Sequence, residues 1–160
     1  MGVQPDDRQG AFPVDERGRI DAYFRKENTM SGPIVFISHF KIKEGKFDDV
    51  KQLSQNVSEF IKANKPGTVA FLQYTNEEGT ELSIIHVFPD ANAFDKHNEG
   101  AGERSSKAFE FIVPTRREIY GLPSDHAMGI LTPPEGSGIT LNQMSQFVDG
   151  YIRFKSEVPK

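Results

Sequence analysis

The sequence contains no cysteine and no tryptophan. Without cysteine the chain forms no disulfide, thiolate metal site, iron–sulfur cluster or cysteine nucleophile. It also lacks any apolar run near the roughly 18 residues that cross a membrane, and its polar N-terminus has no apolar signal-peptide core. We therefore expect a soluble, cytoplasmic protein without a membrane partner.

An excess of positive charge is missing as well. The 19 Lys and Arg residues stand against 23 Asp and Glu residues, which gives a formal net charge of −4. No block of like charge forms the basic stripe that is typical of nucleic-acid-binding proteins. We therefore expect no nucleic-acid partner.

Metal-ligand motifs are also missing. The chain has 4 histidines, and none lies at ligand spacing from another. Glycine-rich phosphate loops, dinucleotide fingerprints and nucleophile elbows are not found. We expect no metal site.

Composition divides the 160 residues into three parts, a size that fits one domain with extensions. Residues 1–31 are polar and rich in charge, Gly and Pro, and are predicted to form an N-terminal arm. Residues 32–123 carry the strongly periodic segments and are predicted to form the domain. Residues 124–160 are predicted to add a short helix, capped by Ser124, and an extended segment packed on the same domain.

Periodicity predicts alternating strands and helices between residues 34 and 120. β-branched and aromatic runs indicate strands, and apolar residues at three- and four-residue spacing indicate amphipathic helices. The second helix is expected to run from an N-cap at Asp90 to Ile112, bent or split near Gly100. The predicted strands span 34 to 42, 68 to 75, 80 to 88 and 115 to 120, and the first helix spans 46 to 64. The order β-α-β-β-α-β predicts a ferredoxin-like α+β fold with an antiparallel four-stranded sheet.

Both faces of that sheet are apolar. Alternation places Ser38 and His86 on one face, and Ile37, His39 and Ile85 on the other. Two helices cover only one face, so the other would remain an apolar patch. We expect a second copy of the chain to cover it, which makes the protein a homodimer.

Three strings carry a resemblance to a known family. They are I-S-H-F-K-I-K-E-G-K-F, H-V-F-P-D-A-N-A-F-D-K-H and E-I-Y-G, within about residues 33 to 121. With the order of elements, they resemble the dimeric α+β barrel superfamily, and within it the antibiotic-biosynthesis-monooxygenase-like domains. The resemblance implies a dimer with a pocket between sheet and helices, and activities that include cofactor-independent oxygenation of quinols and polycyclic aromatics, haem degradation and isomerisation.

One departure from the family argues against haem degradation. Haem-degrading relatives use an Asn on the first strand and a Trp at the end of the third. Here Ser38 and Phe88 stand at the matching positions, and Trp is absent. We therefore expect no cofactor.

The candidate catalytic residues are His86, His97 and Ser38. His86 is predicted to face the helices, where its imidazole would act as a base or a hydrogen-bond donor near neutral pH. The alternative is a core histidine satisfied by a backbone carbonyl. His97 and Ser38 would hold the resulting anion, although His97 could equally cap a helix turn. His39 is expected at the dimer face and His126 on the surface.

Aromatic residues supply the predicted ligand contacts. Core packing is the ordinary role of phenylalanine, but a pocket for a flat apolar molecule would use the same side chains. The candidate ligand-binding residues are Phe36, Phe40, Tyr74, Phe88 and Phe94.

These residues favour a small enzyme of the monooxygenase-like group. It would oxidise or rearrange a small apolar or aromatic substrate, quinol or polyketide-like, without a cofactor. The alternative is a non-catalytic protein that binds a hydrophobic or lipid-like molecule in the same pocket. A third possibility, an assembly module, would be favoured if phenylalanine side chains filled the pocket.

Overall fold

The computed structural model describes residues 32 to 153. One compact unit covers residues 31 to 147, and residues 148 to 153 belong to a second unit in which they form no helix or strand. The predicted arm, residues 1 to 31, and the last part of the predicted C-terminal segment lie outside the described residues. No helix within the described part is long and apolar enough to cross a membrane.

The first unit contains nine helices and strands, all within the described residues. In chain order they are β1 (Ile34–Ile42), α1 (Phe47–Asn64), β2 (Ala70–Thr75), β3 (Glu81–Phe88), α2 (Ala91–Asn98), α3 (Ala101–Ala108), β4 (Ile112–Tyr120), α4 (Asp125–Leu131) and β5 (Thr140–Met144).

The sheet has the strand order β2-β3-β1-β4-β5. The first four strands are antiparallel neighbours, which confirms the predicted ferredoxin-like βαββαβ arrangement. The predicted number of strands was wrong, because Thr140–Met144 pairs parallel with β4 as a fifth strand. This pairing supplies partners for backbone groups that β4 would otherwise expose at the sheet edge.

β4 begins earlier than the sequence predicts. Ile112 was expected on the second helix, at four-residue spacing from Ala108, but it pairs with Ile42 of β1. A β-branched residue suits a strand, and the backbone bond from Lys43 N to Phe111 O (2.8 Å) draws this segment alongside β1. The register of the two strands shifts between His39 and Phe40, so alternation along β4 is interrupted.

The helix boundaries follow local signals in the sequence. Asp90 caps α2 by accepting a hydrogen bond from Ala93 N (2.8 Å), and Ser124 caps α4 through Ala127 N (3.0 Å). Gly100 adopts φ 74° between α2 and α3, a left-handed conformation that favours glycine. The predicted caps and the predicted split of the second helix are confirmed.

The core lies on the helix-covered side of the sheet, here called the inner face, and forms two clusters. One cluster lies at the start of β1 and includes Ile34, Phe36, Phe88 and Phe94. The other lies at the end of β1 and is formed by Ile42, Val50, Leu82 and Ile112. Ser38 lies between the two on β1 and belongs to neither, so the middle of the inner face is left for a cavity.

Candidate ligand-binding and active site

A cavity of about 340 Å³ lies between the inner face and the helices. β1 to β4 supply its floor, and α1, α2, α3 and α4 supply its walls. Most of the lining is apolar, for example Leu53, Val57 and Ile61 of α1. A few polar side chains interrupt this apolar surface.

Strand register arranges the floor in rows across the sheet. One row is aromatic and contains Phe71, His86 and Phe36, followed by Ile119 of β4. The next row contains Gln73, Ile84, Ser38 and Arg117. Neighbouring strands therefore place a polar row beside the aromatic one, within the same apolar cavity.

His86 is a buried histidine with one ring nitrogen occupied. Its Nδ1 lies 3.1 Å from the carbonyl oxygen of Phe36, and a carbonyl only accepts, so Nδ1 carries the hydrogen. In the neutral ring, Nε2 then carries the lone pair. Nε2 has no hydrogen-bond partner among residues 32 to 153. The alternative raised by the sequence, a backbone carbonyl satisfying His86, therefore holds for Nδ1 and not for Nε2.

Burial lowers the pKa of His86 to about 4, and the hydrogen bond to Phe36 only partly opposes this. The cause is that aromatic rings surround the imidazole and exclude the water that would stabilise its protonated form. The rings of Phe36, Phe71 and His97 have centroids 5.0 to 5.1 Å from that of His86. His86 is therefore uncharged at pH 7 and is a weak base.

His97, on α2, lies beside His86. Its Nδ1 lies 2.8 Å from the hydroxyl oxygen of Thr68, and only 6% of the residue is exposed. Burial lowers its pKa to about 3, and the neighbouring His86, Arg104 and Lys65 add to this effect. The structure therefore brings His86 and His97 together as two uncharged imidazoles.

Ser38 lies on the floor of the cavity and is 6% exposed. Its hydroxyl makes no hydrogen bond with any residue from 32 to 153. Its side chain lines the cavity together with Phe36 and Phe40. Ser38 thus offers both a donor and an acceptor to a bound molecule.

Three predicted ligand contacts lie elsewhere. Phe88 and Phe94 are fully buried in the core cluster, with ring centroids 4.7 Å apart, and do not line the cavity. Tyr74 is 58% exposed and pairs with Ser83 on the opposite, outer face of the sheet. The placement of Tyr74 in the pocket was wrong because β2 turns Phe71 and Gln73, not Tyr74, toward the helices.

Sequence reasoning missed several polar lining residues, among them Arg117 and Asn98. Arg117 projects from β4 and donates to the carbonyl oxygen of Leu131 (2.6 Å). Asn98 ends α2, and its Nδ2 is buried without a partner among the described residues. Arg117 had a readable signal, because it lies two residues before the apolar Ile119 and therefore on the same face.

The outer face carries its own polar network. His39 Nδ1 lies 2.8 Å from Ser83 Oγ, and His39 Nε2 lies 3.2 Å from Glu118 Oε1. Tyr120 donates to Glu118 Oε2 (3.0 Å), and Arg116 approaches Oε1 to 2.7 Å. Burial alone would raise the pKa of Glu118, but Tyr120, Arg116 and His39 together lower it. His39 therefore lies on the predicted face, away from His86.

The remaining histidine, His126, is exposed on α4. Among residues 32 to 153, no three His, Asp or Glu side chains are grouped closely enough to hold a metal ion.

Comparisons with known proteins find the fold but no close relative. No protein-family model matches the sequence, and no curated protein matches it. MupZ from Pseudomonas fluorescens is 21% identical with a TM-score of 0.59, and the match covers 74% of this chain and 95% of MupZ. A Caulobacter crescentus CB15 protein described as a "putative antibiotic biosynthesis monooxygenase" is 14% identical with a TM-score of 0.50, covering 62% and 96%.

The strand order and the covered inner face define a ferredoxin-like α+β protein with a cavity beneath its helices. More particularly, the chain shares its fold with MupZ and with the Caulobacter protein described as a "putative antibiotic biosynthesis monooxygenase". This agrees with the resemblance carried by its sequence strings.

Proposed function

We propose that the cavity binds a small aromatic molecule and that the protein oxidises it with dioxygen, without a metal or organic cofactor. The observation that carries the proposal is the free Nε2 of His86 in an apolar, aromatic cavity. The Caulobacter neighbour, whose description reads "putative antibiotic biosynthesis monooxygenase", shares the fold and is consistent with this proposal.

The size and lining of the cavity suit such a ligand. Small-molecule sites typically have volumes of about 300 to 1,000 Å³, with apolar walls and few polar groups. The volume of about 340 Å³ lies near the lower end of this range, which favours a compact ring system. Phe36, Phe71 and Phe40 would pack against its faces and edges.

In the proposed reaction the residues handle a proton and an anion. His86 Nε2 takes a proton from an activated carbon of the substrate, and Ser38 and His97 stabilise the carbanion. The carbanion reduces dioxygen, and a carbon–oxygen bond forms. One oxygen atom remains on the substrate as a carbonyl, and the other leaves as water with the two hydrogens that the carbon loses.

The low pKa of His86 sets a condition on this chemistry. A base whose pKa is about 4 removes a proton effectively only if the anion is stabilised at the same time. The same observation favours the second candidate function, in which the protein binds an apolar molecule without transforming it. Turnover separates the two functions.

The test compares His86→Ala with His126→Ala, which removes an exposed histidine on α4. Dioxygen consumption is measured with a panel of quinol and anthrone-type substrates. We expect His86→Ala to lower kcat by roughly 100-fold or more, as for loss of a general base, and His126→Ala to retain it. Unchanged turnover in His86→Ala would remove His86 from the mechanism. Binding of the panel by the wild-type protein without dioxygen consumption would favour the non-catalytic function.

We also propose that the protein is a homodimer joined through its outer face. Leu72, Tyr74 and Val113 expose 45%, 58% and 46% of their surface there. Ile37 and Ile85 lie between them at the centre of the face, and the network around His39 satisfies the polar groups. A second copy presenting the same face would bury this apolar surface.

A further inference from the structure

The cavity carries positive charge that no acidic side chain balances. Its lining includes Arg104 and Arg117, and also Arg116, whose side chain belongs to the outer-face network, but no Asp or Glu among residues 32 to 153. Arg116 is paired with Glu118 at 2.7 Å. Arg104 and Arg117 have no ion pair within the described part of the chain. This local excess of positive charge contrasts with the net charge of −4 of the whole sequence.

Arg104 is engaged in holding the helices. One of its nitrogens donates to the carbonyl oxygen of Glu99 (2.8 Å) and another to that of His97 (2.7 Å). Its guanidinium also lies over the ring of Phe60, 5.3 Å from the centroid. These contacts occupy Arg104 at the end of α2, a helix terminus that favours positive charge.

Arg117 is differently placed, because most of its donors remain free. It pairs in register with Ser38, so the two side chains project from neighbouring strands into the cavity. Its single hydrogen bond among the described residues goes to the carbonyl oxygen of Leu131. A guanidinium has several further N–H groups in a planar fork that matches a pair of anionic oxygens.

Two other groups that line the same cavity lack partners. The hydroxyl of Ser38, its neighbour in register, is unbonded, and the buried Nδ2 of Asn98 donates to nothing among residues 32 to 153. Buried polar groups are normally satisfied, so unbonded donors in a cavity indicate an acceptor supplied from outside the chain. His86 and His97 add no charge, because both are neutral at pH 7.

We propose that the ligand of this cavity is an aromatic anion whose charged oxygen is held by Arg117 and Ser38. This inference rests on the proposed function and specifies the ligand class of the same cavity. The apolar walls take the ring system, and the unpaired guanidinium takes the charge. Arg117 would then bind the ligand in addition to donating to the carbonyl oxygen of Leu131.

The test uses a matched pair of fluorescent probes. 1-Anilinonaphthalene-8-sulfonate carries an anionic oxygen group, and N-phenyl-1-naphthylamine has the same rings without charge. We expect the anionic probe to bind the wild-type protein about ten-fold more tightly, as one charge-assisted contact provides. Arg117→Gln should abolish this preference and leave the neutral probe unaffected. Lys62→Gln, which removes the same charge from the exposed side of α1, should keep it.

Two further variants keep the test decisive if Arg117→Gln does not fold. Arg117→Lys should retain part of the preference, and Ser38→Ala should reduce it without weakening the neutral probe. Equal binding of the two probes, or a preference that survives in all three cavity variants, would overturn the inference and leave the apolar cavity in place. Failure of both probes to bind would overturn the proposed function as well.

Discussion

His86 and His97 stay uncharged in the folded protein, and this makes its stability depend on pH. Their folded pKa values of about 4 and about 3 lie below the ordinary value of 6.5. Between these values the unfolded chain binds more protons than the folded one, so acid favours unfolding. The stability that these two histidines contribute is fully present above pH 6.5 and is lost progressively as the pH falls toward 4.

The corresponding prediction concerns His86→Phe. For each histidine whose pKa is lowered in this way, the free energy of unfolding should fall by roughly 2 kcal/mol between pH 7 and pH 5. The variant should therefore lose about 2 kcal/mol less than the wild-type protein over that interval, measured by urea unfolding at both pH values. A variant of the exposed His126 should follow the wild type. Equal pH dependence in His86→Phe and the wild type would mean that His86 is not buried uncharged.

At the residue scale, strand alternation predicts which side chains face the helices. It places Ser38 and His86 correctly on the inner face and His39 on the outer one. It does not predict pKa values, because these depend on which rings surround an imidazole from other elements. It also gave no reason to exclude Phe88, which faces inward but lies behind the cavity in the core.

At the scale of elements, one glycine lies where the ends of three strands come close together. Gly121 follows β4 with φ 103°, and its N–H donates to Met144 O of β5 (2.9 Å). A Cβ built on Gly121 would lie 2.6 Å from the carbonyl oxygen of Pro33, just before β1. Backbone atoms on both sides leave no room for a side chain.

We predict that Gly121→Ala is much more destabilising than Gly45→Ala. Gly45 has φ 72° but open space around the Cβ position, so its replacement costs only the left-handed strain, about 1 to 2 kcal/mol. Gly121→Ala should cost at least twice as much, because the Pro33 backbone must also move. Urea unfolding at pH 7 measures both variants. Equal losses would show that the close approach of β1 and β4 relaxes at little cost.

Element types and order were predictable because each element has its own local signal. The caps at Asp90 and Ser124 and the break at Gly100 lie within the segments that they terminate. The start of β4 and the fifth strand were not predictable, because they depend on pairing with strands distant in sequence. The register shift near Phe40 likewise arises from two strands together.

At the scale of the whole molecule, the proposed dimer depends on the apolar centre of the outer face. Ile85 lies there between Ile37 of β1 and Leu72 of β2. Ile85→Lys should convert the dimer into a monomer at micromolar concentration, because a charge at this position would have to be buried without a partner. Leu122→Lys, at a residue that is 52% exposed beyond β4, should leave the dimer intact.

Sedimentation velocity distinguishes these outcomes. A wild-type chain that remains monomeric at micromolar concentration, or an Ile85→Lys variant that remains dimeric, would contradict the proposed interface. The apolar residues on both faces of the predicted sheet led to the dimer hypothesis from the sequence alone.

Proton–carbon NMR of the histidine rings shows directly whether the cavity beside His86 and His97 accepts an aromatic ligand. The chain has 4 histidines, so each ring gives a resolvable signal that mutation assigns. If the cavity accepts an aromatic ligand, titration with a naphthalenediol should shift the signals of His86 and His97 and leave that of the exposed His126 in place. Unmoved signals of His86 and His97 at saturating ligand would contradict it.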